Sequence, residues 1–185
     1  MRESALELQY APFTIVRDRR EKAPWYFHDI EQRKRDGGGH LVVESVVRTI
    51  RTGDYTIDGL EKCLSIERKS VADLVRCVCG KDRRRFVGSG GQLDRLNDFQ
   101  SGHVVIEGGW PQIIKEADRN RYDRRACAVT IISAAMRRFP AVHWWTFPGK
   151  RMAEIMAFRI LEYGWKMHGL DLWTTKESGD GEERS

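Results

Sequence analysis

Apolar positions along this chain follow two periods, one of about two residues and one of about 3.6, and the two alternate along the sequence. Thr14-Ile15-Val16 is a short β-like run that ends in charge at Arg17 to Lys22. From Leu41 to Arg51 the β-branched residues Val42, Val43, Val46, Val47, Thr49 and Ile50 predict a strand. Tyr55-Thr56-Ile57 continues it past a kink at Gly53, Asp58-Gly59 is a turn dipeptide, and Cys63 to Arg68 is the next strand. Two or three strands in hairpin-like succession are therefore expected over 41–68. Helical spacing begins at Ser70, with Val71, Leu74, Val75 and Val78 on one face and Gly80 suited to the stop. Residues 81–102 are basic and broken by Gly88-Ser89-Gly90-Gly91, which reads as a flexible loop followed by a helix through Leu93, Leu96 and Phe99. His103 to Glu107 predicts a buried strand, 111–117 a short helix, 123–139 a helix stopped by Pro140, and Val142 to Phe147 a last strand. A helix over 150–165 carries Met152, Ile155, Met156, Ile160 and Tyr163 on one side. Residues 1–12 read as an N-terminal lead-in, 31–40 as a loop, and 171–185 as a polar, disordered tail. Strands first, then helix–strand alternation, predict one α/β domain over 13–170, a mixed central β-sheet flanked by helices.

Composition narrows the class. The 185 residues are enough for one domain with its own core. No apolar run is long enough for a transmembrane helix, and the N-terminus lacks the apolar stretch of a signal peptide. A cytoplasmic location is expected, nucleoid-associated or nuclear according to the organism. Cys63, Cys77, Cys79 and Cys127 then read as reduced thiols in or near the core. Cys77-x-Cys79 has no second pair to complete a zinc site. The formal net charge of +5 points only weakly to an anionic partner.

Chemistry concentrates in one segment. Asp54 follows Gly53 at the end of one predicted strand, and Glu67-Arg68-Lys69 ends the next. Alternation sends Glu67 and Lys69 to one face and Ile66 and Arg68 to the other. In a hairpin, Asp54 and Glu67 sit side by side, and two facing carboxylates repel unless a cation lies between them. Mg²⁺ is held by one or two carboxylates plus waters and phosphate, so Asp–Glu–Lys at strand ends suits phosphodiester hydrolysis. Asp18, also at a strand end, is a candidate third carboxylate. Solvated strand-end charges are the plainer reading, and a capping box at the helix start equally accounts for Ser70 and Asp73.

Gly53-Asp54, then Glu67-Arg68-Lys69, then Asp73 resembles the GD…ERK…D signature of the XPF family of structure-specific DNA endonucleases. Val16 to Glu21 is similar to that family's first strand and Asp-x-Arg-Glu motif. Arg84-Arg85-Phe86 with Gln92, Leu93 and Leu96 resembles its basic segment, and Val104-Val105-Ile106-Glu107-Gly108 its following strand. The resemblance covers roughly 13–165. It implies a restriction-endonuclease-like fold and a Mg²⁺- or Mn²⁺-dependent nuclease acting on branched DNA such as a flap, fork or junction. Asp54 and Glu67 would ligate metal, Asp18 would be a further carboxylate beside it, and Lys69 would position or activate water. For Asp73 an active-site role competes with the cap. Arg68 is structural or phosphate-facing, and Arg84, Arg85, Gln92 and Arg95 are candidate DNA contacts.

The sequence departs from the family in two ways. Gly88 to Gly91 is inserted between Phe86 and Gln92, and no helix-hairpin-helix module or helicase pattern is visible, so a solitary nuclease domain is expected. Such a domain must hold DNA by its own basic clusters, Arg17–Lys22, Arg33–Arg35, Lys81–Arg85 and Arg119–Arg125, or through a partner. A homodimer through the C-terminal helices fits the apolar stripe of 152–163. Two alternatives remain open at this level. One is a non-catalytic DNA-binding or partner-stabilising module of the same fold. The other is a nuclease with a different DNA substrate, such as a resolvase, a defence nuclease or a phage or plasmid replication nuclease.

Overall fold

A computed structural model describes residues 9–32, 38–119 and 125–177. Most of the lead-in (1–8), the Arg33–Arg35 cluster, the middle of the Arg119–Arg125 cluster, the tail from 178 and the side chain of Cys127 lie outside the described residues. The strands are β1 (Gln9–Tyr10), β2 (Ile15–Asp18), β3 (Ile30–Glu31), β4 (His40–Val42), β5 (Ser45–Arg48), β6 (Tyr55–Ile57), β7 (Leu64–Lys69), β8 (Ser101–Ile106) and β9 (Val142–Thr146). The helices are α1 (Val71–Cys79), α2 (Arg83–Val87), α3 (Gln92–Asn97), α4 (Trp110–Arg119), α5 (Arg125–Arg138) and α6 (Lys150–Glu177).

The main sheet has six strands in the order β5-β2-β6-β7-β8-β9, and β1-β4-β3 form a small second sheet. β2 runs parallel to β5, antiparallel pairs link β2, β6 and β7, and β7, β8 and β9 are parallel. This is the expected α/β class with a mixed central sheet. The hairpin succession over 41–68 is only partly realised. β6 and β7 form a hairpin, but β2 inserts between β5 and β6, and residues 41–51 divide between the two sheets. Residues 88–91 form the expected turn and α3 the expected helix through Leu93 and Leu96, but Arg83–Val87 add a short helix before them. Phe86 is fully buried, and that burial anchors a short α2 ahead of the glycines. Gln9–Tyr10 of the lead-in pair with β4. The last helix continues well past 165, to Glu177, so residues 171–177 of the expected tail are helical, and Gly164 within it is a close-approach residue. A Cβ there would lie 2.8 Å from a Leu64 methyl.

Alternation on the central strands feeds two cores. Leu64 and Ile66 of β7 and Val105 of β8 pack with Phe158 and Leu161 of α6 and with Trp25 and Tyr55. Val104 and Ile106 face the other way, into a cluster with α1 to α5 that includes Leu74, Phe86, Leu96 and Ile132. Trp144 packs against this second cluster, whereas Trp145 is exposed, as expected for neighbours on one strand. Cys77 is buried and Cys63 and Cys79 are half-buried.

At the β8–β9 end the buried His103 receives a hydrogen bond at Nδ1 from Trp145 Nε1 at 3.0 Å, and its Nε2 lies 2.7 Å from Ser101 Oγ. The Trp145 donor fixes the neutral tautomer with the proton on Nε2. Burial, with a contribution from His143, lowers the His103 pKa from 6.5 to about 4. Between these values the unfolded chain binds a proton that the folded chain does not, so stability falls as pH drops through this window. This one group should remove about 2 kcal/mol by about pH 5. His103→Gln, with a neutral donor and acceptor, should flatten that dependence in urea titrations at neutral and mildly acidic pH. An equal loss in parent and variant would assign it elsewhere.

Candidate active site

The site begins with the β6–β7 hairpin. Tyr55 is opposite Ile66, and the Asp54 amide donates to the Ile66 carbonyl at 2.7 Å, which places Asp54 beside Glu67. Gly53 makes this turn possible. Its φ is +84°, and a Cβ would lie 2.1 Å from Ser65 Oγ and 2.9 Å from the Ile66 carbonyl oxygen. Gly53→Ala should destabilise by at least about 1–2 kcal/mol from the left-handed backbone alone. Displacement of Ser65, whose hydroxyl donates to the Thr52 carbonyl, adds to this. A chemical-denaturation midpoint equal to the parent's would refute the argument.

Asp54 Oδ2 accepts the Arg68 amide at 2.8 Å. The buried Glu67 accepts at Oε1 from Lys69 Nζ at 2.5 Å and from Gln92 Nε2 at 3.0 Å. Lys69 Nζ also lies over the Phe86 ring, 5.1 Å from its centroid. Among the described residues nothing donates to Asp54 Oδ1 or Glu67 Oε2. Burial and the Glu67 carboxylate push Asp54 well above the usual carboxylate range. Burial disfavours the Lys69 ammonium, but the Glu67 carboxylate prevails and raises its pKa. These groups wall a cleft of about 670 Å³ whose lining also includes Arg20, Arg68, Asp73 and Arg85.

Asp18 is buried and saturated. It accepts from the Arg20 amide and Nε at 2.7 Å each, from Arg20 Nη2 at 3.0 Å, and from the Ile50 amide at 2.6 Å. Burial works against this carboxylate, yet the hydrogen bonds from Arg20 and Ile50 hold it below its ordinary pKa. Its effect is to lock Arg20, whose Nη2 also donates to the Ile50 carbonyl at 2.6 Å and whose side chain is 63% exposed. Arg20 lines both the cleft and the adjoining hollow that contains Asp54 and Glu67. Arg68 points to the opposite face of β7. It grips Glu107 through Nε at 2.8 Å and Nη2 at 2.7 Å, and reaches Glu21 at 3.2 Å, so its guanidinium is occupied within the protein. Ser70 caps α1 and Asp73 in its first turn completes the cap: the Asp73 amide donates to Ser70 Oγ, Ser70 Oγ donates to its carboxylate, and Arg76 pairs with it at 2.7 Å. It sits on the rim of the cleft, away from the Glu67–Lys69 pair's hydrogen bonds.

The basic segment borders the same space. Arg85 is exposed and lines both the cleft and the hollow. Gln92 bridges Glu67 and Lys69, the latter at 3.5 Å. Arg95 is held by the Gly90 carbonyl at 2.5 Å and Thr52 Oγ1 at 3.3 Å. Arg84 lies outside the cleft, in a neighbouring surface hollow with Lys81 and Ser89.

XPF from Aeropyrum pernix superposes on this chain with a TM-score of 0.54 at 14% identity, over 92% of this chain and 75% of that one. A solved structure of XPF from Aeropyrum pernix in complex with DNA matches with a TM-score of 0.51 at 15% identity, over 89% of this chain and 66% of that one. The chain has the XPF fold. No protein-family model matches the sequence, and no curated protein does.

Within this XPF fold the carboxylate pair fits a hard divalent ion. Two facing carboxylates, each with a free oxygen and one with a raised pKa, form a donor set of the kind that Mg²⁺ completes with water and phosphate. Among the described residues there is no group of three or more His, Cys, Asp or Glu able to hold a metal by themselves. No helix of the described residues is long and apolar enough to cross a membrane. Arg20, Glu21 and Glu107 were not singled out as site residues from sequence. The Asp-x-Arg spacing at Asp18 and Arg20 was the available signal for the first, whereas the partners of Glu107, Trp25 and Arg68, are 82 and 39 positions away.

Proposed function

We propose that this protein is a metal-dependent DNA endonuclease that hydrolyses phosphodiester bonds near branch points. The observation that carries the reading is the Asp54–Glu67 pair with a charged Lys69 at its side, in a cleft bordered by Arg20, Arg85, Gln92 and Arg95. The structure of the XPF neighbour with DNA supports DNA as the ligand class. Asp54 and Glu67 would hold Mg²⁺ or Mn²⁺, which supplies charge neutralisation at the phosphate and activation of water. Lys69, oriented by Glu67 and Gln92, holds the attacking water or a phosphate oxygen in place. Arg20 presents a preset guanidinium to the phosphate, and planar Arg geometry suits that contact. Asp18 is in this reading the residue that positions Arg20 and not a metal ligand. Arg68 and Asp73 are structural, through the Glu107–Glu21 network and the helix cap. Arg84, Arg85 and Arg95 contact the DNA backbone.

The test is a cleavage panel on labelled duplex, flap, fork and four-way junction with Mg²⁺ and with Mn²⁺. Metal-dependent cutting that favours branched substrates is expected. Binding without cutting at any metal concentration would overturn the nuclease reading and leave a DNA-binding module. The same proposal includes a homodimer through α6, on which Met152, Tyr163 and Met167 are exposed. Sedimentation equilibrium should show two copies, and Tyr163→Asp should shift the mass to one.

A further inference from the structure

A second cavity, of about 460 Å³, opens between β5 and the segment around α3. Its floor is apolar: Val16 and Ile50 are buried, and the ring of Phe99 is partly exposed beside them. Its rim is cationic. Arg51 and Lys62 are exposed and, among the described residues, make no ion pair, and Arg95 stands at the edge shared with the hollow beside the cleft. Arg48 contributes little field, because Asp58 and Glu61 neutralise it. Asp98 offsets one of the three remaining charges. Arg51, Thr52 and Arg95 line both this cavity and the hollow that contains Asp54 and Glu67, so the two spaces adjoin across these three residues.

We propose that this cavity seats an unpaired nucleotide of the DNA strand that passes Asp54 and Glu67. The inference rests on the nuclease reading and names the feature of the substrate that the chain itself recognises, a single-stranded segment next to the cut. A base offers two apolar faces, and contact with an aromatic ring is largely indifferent to its sequence. Phe99 provides that ring, while Lys62 and Arg51 meet the flanking phosphates. A base held in a duplex stack cannot enter, so the site distinguishes unpaired from paired DNA without reading sequence.

Fluorescence anisotropy with the metal chelated separates this proposal from catalysis. The probes are a labelled oligothymidylate and a blunt duplex of equal length. Lys62 and Phe99 line this cavity and not the cleft. Lys62→Glu and Phe99→Leu should each weaken single-strand binding by about five- to tenfold, by loss of a phosphate contact and of ring stacking respectively. Duplex binding should stay within about twofold, which also reports that the variants fold. Unchanged single-strand binding, or equal losses on both probes in Lys62→Glu, would overturn the proposal. So would a change in oligomeric state with DNA binding intact, which marks the cavity as a protein interface. None of these outcomes bears on whether the parent cuts DNA.

Discussion

Asp54→Asn is expected to lose about a thousandfold or more in metal-dependent DNA cleavage while the metal-free chain becomes no less stable than the parent. The activity loss follows from removing one of two carboxylates that face an ion. Several kcal/mol of transition-state charge stabilisation are at stake, and each 1.36 kcal/mol is tenfold in rate. The stability half follows from the same electrostatics. The folded chain raises the pKa of Asp54 through burial and the facing Glu67. A carboxylate raised in this way contributes most stability when protonated, at low pH, and loses it as pH rises through the folded value. At neutral pH the parent therefore holds an ionised or proton-seeking group that the amide variant lacks. Asparagine keeps an oxygen for the Arg68 amide, so the turn is preserved. Cleavage assays beside urea titrations at neutral pH check both halves. Parent-like cutting would remove Asp54 from the site. Lost cutting with a large fall in stability would make the effect structural.

The facing of Asp54 and Glu67 follows from local information: a strand end, a turn glycine and the two-residue alternation that puts Glu67 with Lys69. The hairpin pairing of β6 with β7 involves neighbours in sequence, and it formed as the pattern indicated. The strand order did not, because β2 enters between β5 and β6 by a choice among buried surfaces that no local window contains. Gly88 to Gly91 form a turn as the pattern indicates, whereas the short α2 ahead of them rests on the burial of Phe86, which spacing alone does not show. The length of α6 was not legible either: it runs to Glu177, and Gly164 within it is a notch into which Leu64 fits. Asp18 illustrates the limit for chemistry. Its residue type and strand-end position suit a metal ligand, and only the placement of Arg20 and the Ile50 amide shows every oxygen already engaged. Charge type was readable, whereas the partner that consumes the charge was not.

Arg68→Met should be the most destabilising single change near the site, by about 3–5 kcal/mol, because it breaks a buried ion network by removing the partner common to two carboxylates. Arg68, Glu21 and Glu107 have side-chain exposures of 9%, 10% and 8%. Glu107 would keep its hydrogen bond from Trp25 Nε1 at 2.8 Å but lose two from the guanidinium. Glu21 would keep only the Ala23 amide at 2.7 Å. Two charges would then remain in a poorly solvated space, and the end of β7 that presents Glu67, Lys69 and the amide holding Asp54 would have to move to admit water. The double variant Arg68→Met/Glu107→Gln leaves one fewer orphan charge and should recover part of the loss, as expected when the penalty lies in the unpaired ion and not in missing attraction. Urea titrations of the parent, the single variants and the double variant give the coupling directly. The phosphate-facing reading of Arg68 makes the opposite forecast: stability within about 1 kcal/mol of the parent, as for an exposed ion pair, with DNA affinity reduced and less sensitive to salt. A folded Arg68→Met chain with parent-like stability would therefore move this arginine from the scaffold to the DNA surface.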